Sequence, residues 1–203
     1  MSTRPLSTHA LRSRRRGQGA IWAALAAALL VAIALEVGHA VRRQALPLSD
    51  AGVIRQQAAS KHLDPALIAA VIYAESRFHP RPSPAGAQGL MQILPETAYF
   101  IAHLSGGVRF SARDLATPSI NVAYGSYYLR YLLDHYRGDE MLALAAYNAG
   151  LANVDRWAAQ MSAAGQPLSR QAIPFPETRE YVSRVMSAQR DYRATYPQQL
   201  GLG

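Results

Sequence analysis

An unbroken apolar stretch at residues 66–74 (Ala-Leu-Ile-Ala-Ala-Val-Ile-Tyr-Ala) constrains the fold more than any other feature of this chain. Asp64 and Pro65 come just before it and place a side-chain acceptor at a helix N-cap and a proline at the first helical position. A helix that is apolar on every side has no face to turn to water, so the rest of the domain must be built around it. Pro80, Pro82, Pro84, Gly86 and Gly89 then break the helix and make a rigid, glycine-punctuated loop.

The remaining patterns are helical as well. Asp50 is positioned to cap a helix carrying Val53, Ile54 and Ala58. Pro95 opens a helix from Glu96 to about Leu104, and Val122, Gly125, Leu129, Leu132, Leu133 and Tyr136 mark one face of a long helix after a loop at residues 106–118. Asp139 can cap a helix that runs through Asn148 and ends at Gly150. A short helix around Trp157, a loop at 165–176 and a last helix carrying Tyr181, Val182, Val185, Met186 and Tyr192 complete the domain. No β alternation or internal repeat is present, so the expected class is all-α. With 50% hydrophobic and 17% charged residues the chain can bury a core. It has no cysteine, which excludes disulfides, thiolate metal sites and a cysteine nucleophile.

The N-terminal end reads as a targeting segment. Arg12, Arg14, Arg15 and Arg16 precede an apolar run at residues 20–35 that Glu36 closes, the order of a basic region followed by an export helix. Residues 20–41 are expected to be either a signal peptide cleaved after Ala40 or a retained signal-anchor helix in the cytoplasmic membrane. In both cases the following residues face outward. The expected organisation is a basic cytoplasmic segment at 1–19, the export segment at 20–41, a linker at 42–49, the folded domain at 50–196 and a tail at 197–203. Half of the net charge of +8 belongs to the first 40 residues. The mild balance left on the domain gives no nucleic-acid reading.

Glu75 ends the apolar helix, where a carboxyl is half removed from water. Desolvation there favours the neutral acid, the form a general acid needs near neutrality. Taken alone, a helix-end glutamate in a surface ion pair is the better explanation. Its sequence company is more specific. Glu75-Ser76-Arg77-Phe78 is followed by Gly86-Ala87-Gln88-Gly89-Leu90-Met91-Gln92, by Ala146-Tyr147-Asn148-Ala149-Gly150, and by Glu177-Thr178-Arg179 with Tyr181-Val182. Together these blocks resemble the soluble lytic transglycosylase family with its lysozyme-like SLT domain, over about residues 50–192.

The resemblance implies cleavage of the β-1,4 bond between N-acetylmuramic acid and N-acetylglucosamine in peptidoglycan, leaving a 1,6-anhydromuramoyl product. Glu75 matches the catalytic glutamate, acting first as acid and then as base. Ser83 and Gln92 match sugar-contacting positions, Met91 sits in the same substrate-binding wall, Tyr147 and Asn148 match the pair facing the glutamate, and Glu177 matches a position that can meet the stem peptide. No cofactor is implied, and His62, His79, His103 and His135 lack the spacing of a helical zinc pair. The partners implied are glycan strands and, through residues 20–41, the cytoplasmic membrane. Departures are a shorter loop between Glu75 and Gly86, Leu94 in place of a frequent methionine, and Gln171 in place of a frequent acid. A hydrolytic muramidase and a catalytically idle peptidoglycan-binding scaffold would share the same fold.

Overall fold

The structure, a computed structural model, describes residues 25, 27–34, 36–38, 46–106 and 110–203. The chain divides into two units, Met1–Ala45 and Leu46–Gly203. In the first, the described residues between 25 and 38 are helical, and Leu25, Leu29, Leu30, Val31, Ile33 and Val37 are exposed. Among the described residues no helix is long and apolar enough to cross a membrane, so the expected signal-anchor span over 20–41 is not supported. The described helical positions between 25 and 38 are fewer than the about 20 residues that a span needs. The basic segment at 1–19 and both ends of the 20–41 segment lie outside the described residues.

The second unit is helical. Helix α1 (Ala51–Lys61) is followed by α2 (Pro65–Ser76), α3 (Pro95–Ser105), α4 (Pro118–His135), α5 (Glu140–Ala149), α6 (Leu151–Ala163), α7 (Pro176–Thr195) and a short α8 (Pro197–Leu200). The described residues contain no strand beyond an isolated antiparallel bridge between Gln88 and Ile93. Helix α2 takes the place that its sequence requires. Its residues from Ala66 to Ile72 are all buried, it packs most extensively on α7, and α1 also packs on it. Asp64 Oδ1 accepts the Ala66 N–H at 2.9 Å, and Pro65 occupies the first turn. Asp139 caps α5 in the same way, accepting the Leu142 N–H at 3.0 Å.

Several expectations need correction. Asp50 does not cap α1. Its backbone is left-handed (φ 53°), which turns the carboxylate away from the helix to accept from Ser49 Oγ at 2.8 Å. The short helix around Trp157 is α6, which runs to 13 residues. The two long loops each hold a 3-10 turn, at Ala112–Ala116 and Arg170–Ala172. The first of these is stabilised by a capping box between Ser111 and Asp114.

Both margins of the unit are also better packed than a linker and a tail would be. Tyr192 and Tyr196 donate their buried hydroxyls to the carbonyls of Pro47 (2.6 Å) and Leu46 (2.8 Å). Leu46 and Leu48 rest on the core, and Leu200 is 1% exposed. A buried phenol needs an acceptor, and the incoming backbone supplies it.

Candidate active site

Glu75 stands in the last turn of α2, half-buried, where the helix stops because Arg77 takes a left-handed conformation (φ 50°). One residue on, Ser76 Oγ donates to the Leu90 carbonyl at 2.8 Å and so ties the end of the helix to the following loop. That loop closes on itself. Gln88 and Ile93 exchange backbone hydrogen bonds of 3.0 Å in both directions, making a tight turn over Gly89, Leu90, Met91 and Gln92.

Asn121, fully buried on α4, holds the turn from beneath. Its Oδ1 accepts the Met91 N–H at 2.8 Å, and its Nδ2 donates to the carbonyls of Gln88 (2.8 Å) and Leu115 (3.1 Å). The fit explains two glycines of the sequence. A Cβ on Gly89, whose φ is 78°, would lie 2.1 Å from Asn121 Nδ2, and a Cβ on Gly125 would lie 2.4 Å from Met91 Sδ. Gln92 itself is left-handed (φ 47°), a conformation that costs a non-glycine residue energy. Its Nε2 donates to the carbonyls of Arg81 and Gly89, both at 2.8 Å, and holds it there.

A cleft of about 390 Å³ is lined by Ala74, Glu75, Ser76, Arg77, His79, Arg81, Pro82, Ser83 and Gln92. Of the described residues lining it, Glu75 is the only acid. Burial pushes the Glu75 carboxyl up to about 7, although the Tyr181 hydroxyl and the Arg184 guanidinium pull the other way. The Tyr181 hydroxyl is buried with no acceptor in ideal hydrogen-bond geometry, and the carboxyl of Glu75 is the group it addresses. An acid half-protonated near neutrality, beside a cleft with room for a sugar, can give a proton to a bridging oxygen and take one back.

The other expected site residues divide into three places. Ser83 and Gln92 line the Glu75 cleft. The Ser83 hydroxyl accepts the Ala87 N–H at 3.0 Å, which leaves its own proton to donate into the cleft. Met91 and Tyr147 lie behind the wall. Met91 is 0% exposed and packed against Gly125, so its side chain does not reach the cleft as a sugar-contacting residue would. Tyr147 donates to the Met91 carbonyl at 2.9 Å and not to Glu75. Burial, with the charge of Glu75 next, holds its phenol well above its ordinary value.

Asn148 and Glu177 sit on a separate cleft of about 370 Å³ shared with Asn153, Phe175 and Thr178. There Asn148 Oδ1 accepts from Thr178 Oγ1 at 2.8 Å, while Glu177 is exposed in the first turn of α7. Asn121 and Tyr181 were not singled out from the sequence as site residues. Asn121 falls beside the marked apolar face of α4 and could have been noticed as a polar residue one position before Val122. Tyr181 falls in the Tyr181-Val182 pair of the last motif block, with no site role assigned to it there. Among the described residues no cluster of three or more His, Asp or Glu is arranged to hold a metal.

An all-helical domain whose buried central helix delivers one acid to a sugar-sized cleft defines the class, and the comparisons agree with it. The profile of the transglycosylase SLT domain matches residues 52–168. The chain belongs to the transglycosylase SLT domain family. It is 31% identical over 150 residues to the soluble lytic murein transglycosylase of Escherichia coli K12, covering 72% of this chain and 23% of that protein.

It is also 29% identical over 211 residues to the membrane-bound lytic murein transglycosylase C of Photorhabdus laumondii, covering 92% of this chain and 56% of the relative. The crystal structure of the 70 kDa soluble lytic transglycosylase Slt70 of Escherichia coli superposes with a TM-score of 0.71 at 28% identity, over 79% of this chain and 26% of that one. An inactive glutamate-to-glutamine mutant of lytic transglycosylase Slt from Pseudomonas aeruginosa superposes with a TM-score of 0.66 at 30% identity, over 73% and 24%. The chain thus spans about a quarter of the length of the soluble relatives it matches.

Proposed function

We propose that this protein is a peptidoglycan lytic transglycosylase whose single catalytic residue is Glu75. One observation carries the reading: a carboxyl raised to about 7 by burial, on the wall of a cleft where no second acid faces it among the described residues. Glycosidases that hydrolyse their bond through a pair of carboxyls hold the two roughly 5 to 9.5 Å apart. With one carboxyl the nucleophile must come from the substrate. Neutral Glu75 gives its proton to the glycosidic oxygen, and the carboxylate left behind removes the proton of the muramoyl C6 hydroxyl as that oxygen closes on C1. The leaving sugar carries away the first proton, Glu75 regains the second, and no water is consumed.

Around this step Ser83 and Gln92 offer hydrogen bonds to the sugars from the cleft wall. Tyr147 and Met91 support that wall, and Asn148 and Glu177 provide polar contacts for the stem peptide in the neighbouring cleft. That a glutamate-to-glutamine change gives an inactive form of the Pseudomonas aeruginosa relative supports the assignment. The basic and apolar N-terminal segment directs the domain to the outer side of the cytoplasmic membrane, where the polymer lies.

The test is digestion of purified sacculi with the full chain and with Glu75→Gln, followed by mass spectrometry of the released fragments. The reading expects products lighter by one water than the hydrolytic ones, and none from the variant. Reducing-end products would instead identify a hydrolytic muramidase, and equal lysis by the variant would remove Glu75 from the chemistry.

A further inference from the structure

A second cleft, of about 540 Å³ and so larger than the one at Glu75, is lined by Lys61, His62, Tyr127, Arg130, Tyr131 and Asp134. It shares no lining residue with the Glu75 cleft. Its residues 60–62 precede the N-terminus of α2, whereas Glu75 is in the last turn of that 12-residue helix, so about 15 Å of helix lies between them. The cleft has the size of a small-ligand site and an aromatic wall, formed by Tyr127 and Tyr131.

Its charges are unbalanced. Arg130 Nη2 pairs with Asp134 Oδ1 at 2.6 Å, but Arg130 Nε is buried with no hydrogen-bond partner. Lys61 is half-buried, and its ammonium meets only neutral acceptors, Gln57 Oε1 and Ser60 Oγ, the latter at 3.3 Å. Two basic side chains, Lys61 and Arg130, therefore face one acid, Asp134, with His62 beside them.

We propose that this cleft is a second binding site, and that it takes a single carboxylate carried on a sugar or peptide frame. Resting on the function proposed above, that carboxylate belongs to the stem peptide of peptidoglycan, held away from the bond being cut. One uncompensated positive charge suits a monoanion. A phosphate dianion would leave the site negative, and a concave cleft does not fit the flat surface of a bilayer. The Arg130 guanidinium is suited to a planar carboxylate, because guanidinium and carboxylate meet edge to edge. The two tyrosine rings offer apolar faces to the frame that carries the charge.

The composition of the chain supplies a reporter. Lys61 is its one lysine, so reductive ¹³C-methylation, which keeps the charge, gives a single side-chain NMR signal at this site beside that of the N-terminal amine. The full chain is titrated with a disaccharide-tripeptide muropeptide, with the same muropeptide amidated at its carboxyls, and with phosphatidylglycerol vesicles. The Lys61 signal is expected to move saturably with the first and far less with the second. Arg130→Gln should weaken binding about tenfold by removing a charged donor. Asp134→Asn should strengthen it by freeing the guanidinium, an opposite sign that misfolding cannot imitate.

Three results would overturn the site: no movement at millimolar muropeptide, equal movement with the amidated form, or movement with vesicles alone. Lysis of sacculi is measured on the same samples. A chain that lyses sacculi but shows a still Lys61 refutes the site alone, while a chain without lysis that binds the carboxylate refutes the catalytic reading alone.

Discussion

Replacing Asn121 by alanine should damage both the stability of the domain and the shape of its cleft. The side chain is 0% exposed and makes three hydrogen bonds to main-chain groups, the Met91 N–H and the carbonyls of Gln88 and Leu115. Removal strands the Met91 N–H and the Leu115 carbonyl, while the Gln88 carbonyl keeps the Ile93 N–H, and each stranded buried group costs about 1–3 kcal/mol. Water entering the vacated space re-pairs part of this, so the net loss is about 3 kcal/mol. At about 2–4 °C per kcal/mol for a chain of this size, Tm falls by about 10 °C.

Calorimetry of the full chain measures the fall. The loop also loses its anchor at Met91, and a displacement of about 1 Å in positioning groups costs about a hundredfold in rate. Asn121→Asp keeps the acceptor for Met91 but turns an oxygen on two carbonyls, so it should rescue neither property at neutral pH. A Tm loss below about 3 °C together with unchanged lysis would refute the claim that this side chain holds the turn.

Other expectations follow from the same geometry. Lytic kcat/KM should fall about tenfold per pH unit above about 7, as Glu75 loses the proton that it must donate; a flat profile to pH 9 would count against it. Because burial raises the Glu75 pKa, the stability that its neutral form confers is complete below its ordinary value of 4.5 and is lost as pH rises through about 7. Glu75→Gln should therefore raise Tm at pH 8 and change it little at pH 4, in paired thermal scans. Tyr181→Phe removes a hydroxyl that favours the charged carboxylate, so the falling limb of the rate profile should move to higher pH. Gly125→Ala forces a methyl into Met91 at a cost of about 1–3 kcal/mol, which thermal unfolding reads as a clear loss of Tm.

What could be read from the residues was whatever lies close together along the chain. Asp64 and Pro65, the apolar run after them, Asp139 and the stop at Gly150 each carry their instruction within a few positions, and the structure follows them. Glu75 was legible because its motif neighbours are contiguous. Groups that meet across the fold were less so. Asn121 is far in sequence from the turn that it holds, and a single polar residue in a helical pattern does not announce three main-chain bonds. Tyr181 reads as core until α7 is laid against α2. Met91 is fully buried and Tyr147 donates to its carbonyl, a depth that a motif, which gives adjacency alone, does not state. The cleft at Lys61 draws on two separate helices and a connection, and no local pattern foreshadows it.

The two tyrosines that grip the carbonyls of Leu46 and Pro47 stand at the far end of α7, and a carbonyl near the chain's end, that of Gln199, accepts from Arg55 on α1. The head and the tail of this unit are therefore laced to each other, and the polypeptide traces something close to a ring. Tension applied ahead of Leu46 would first load that lacing, sparing the bend around Gln92.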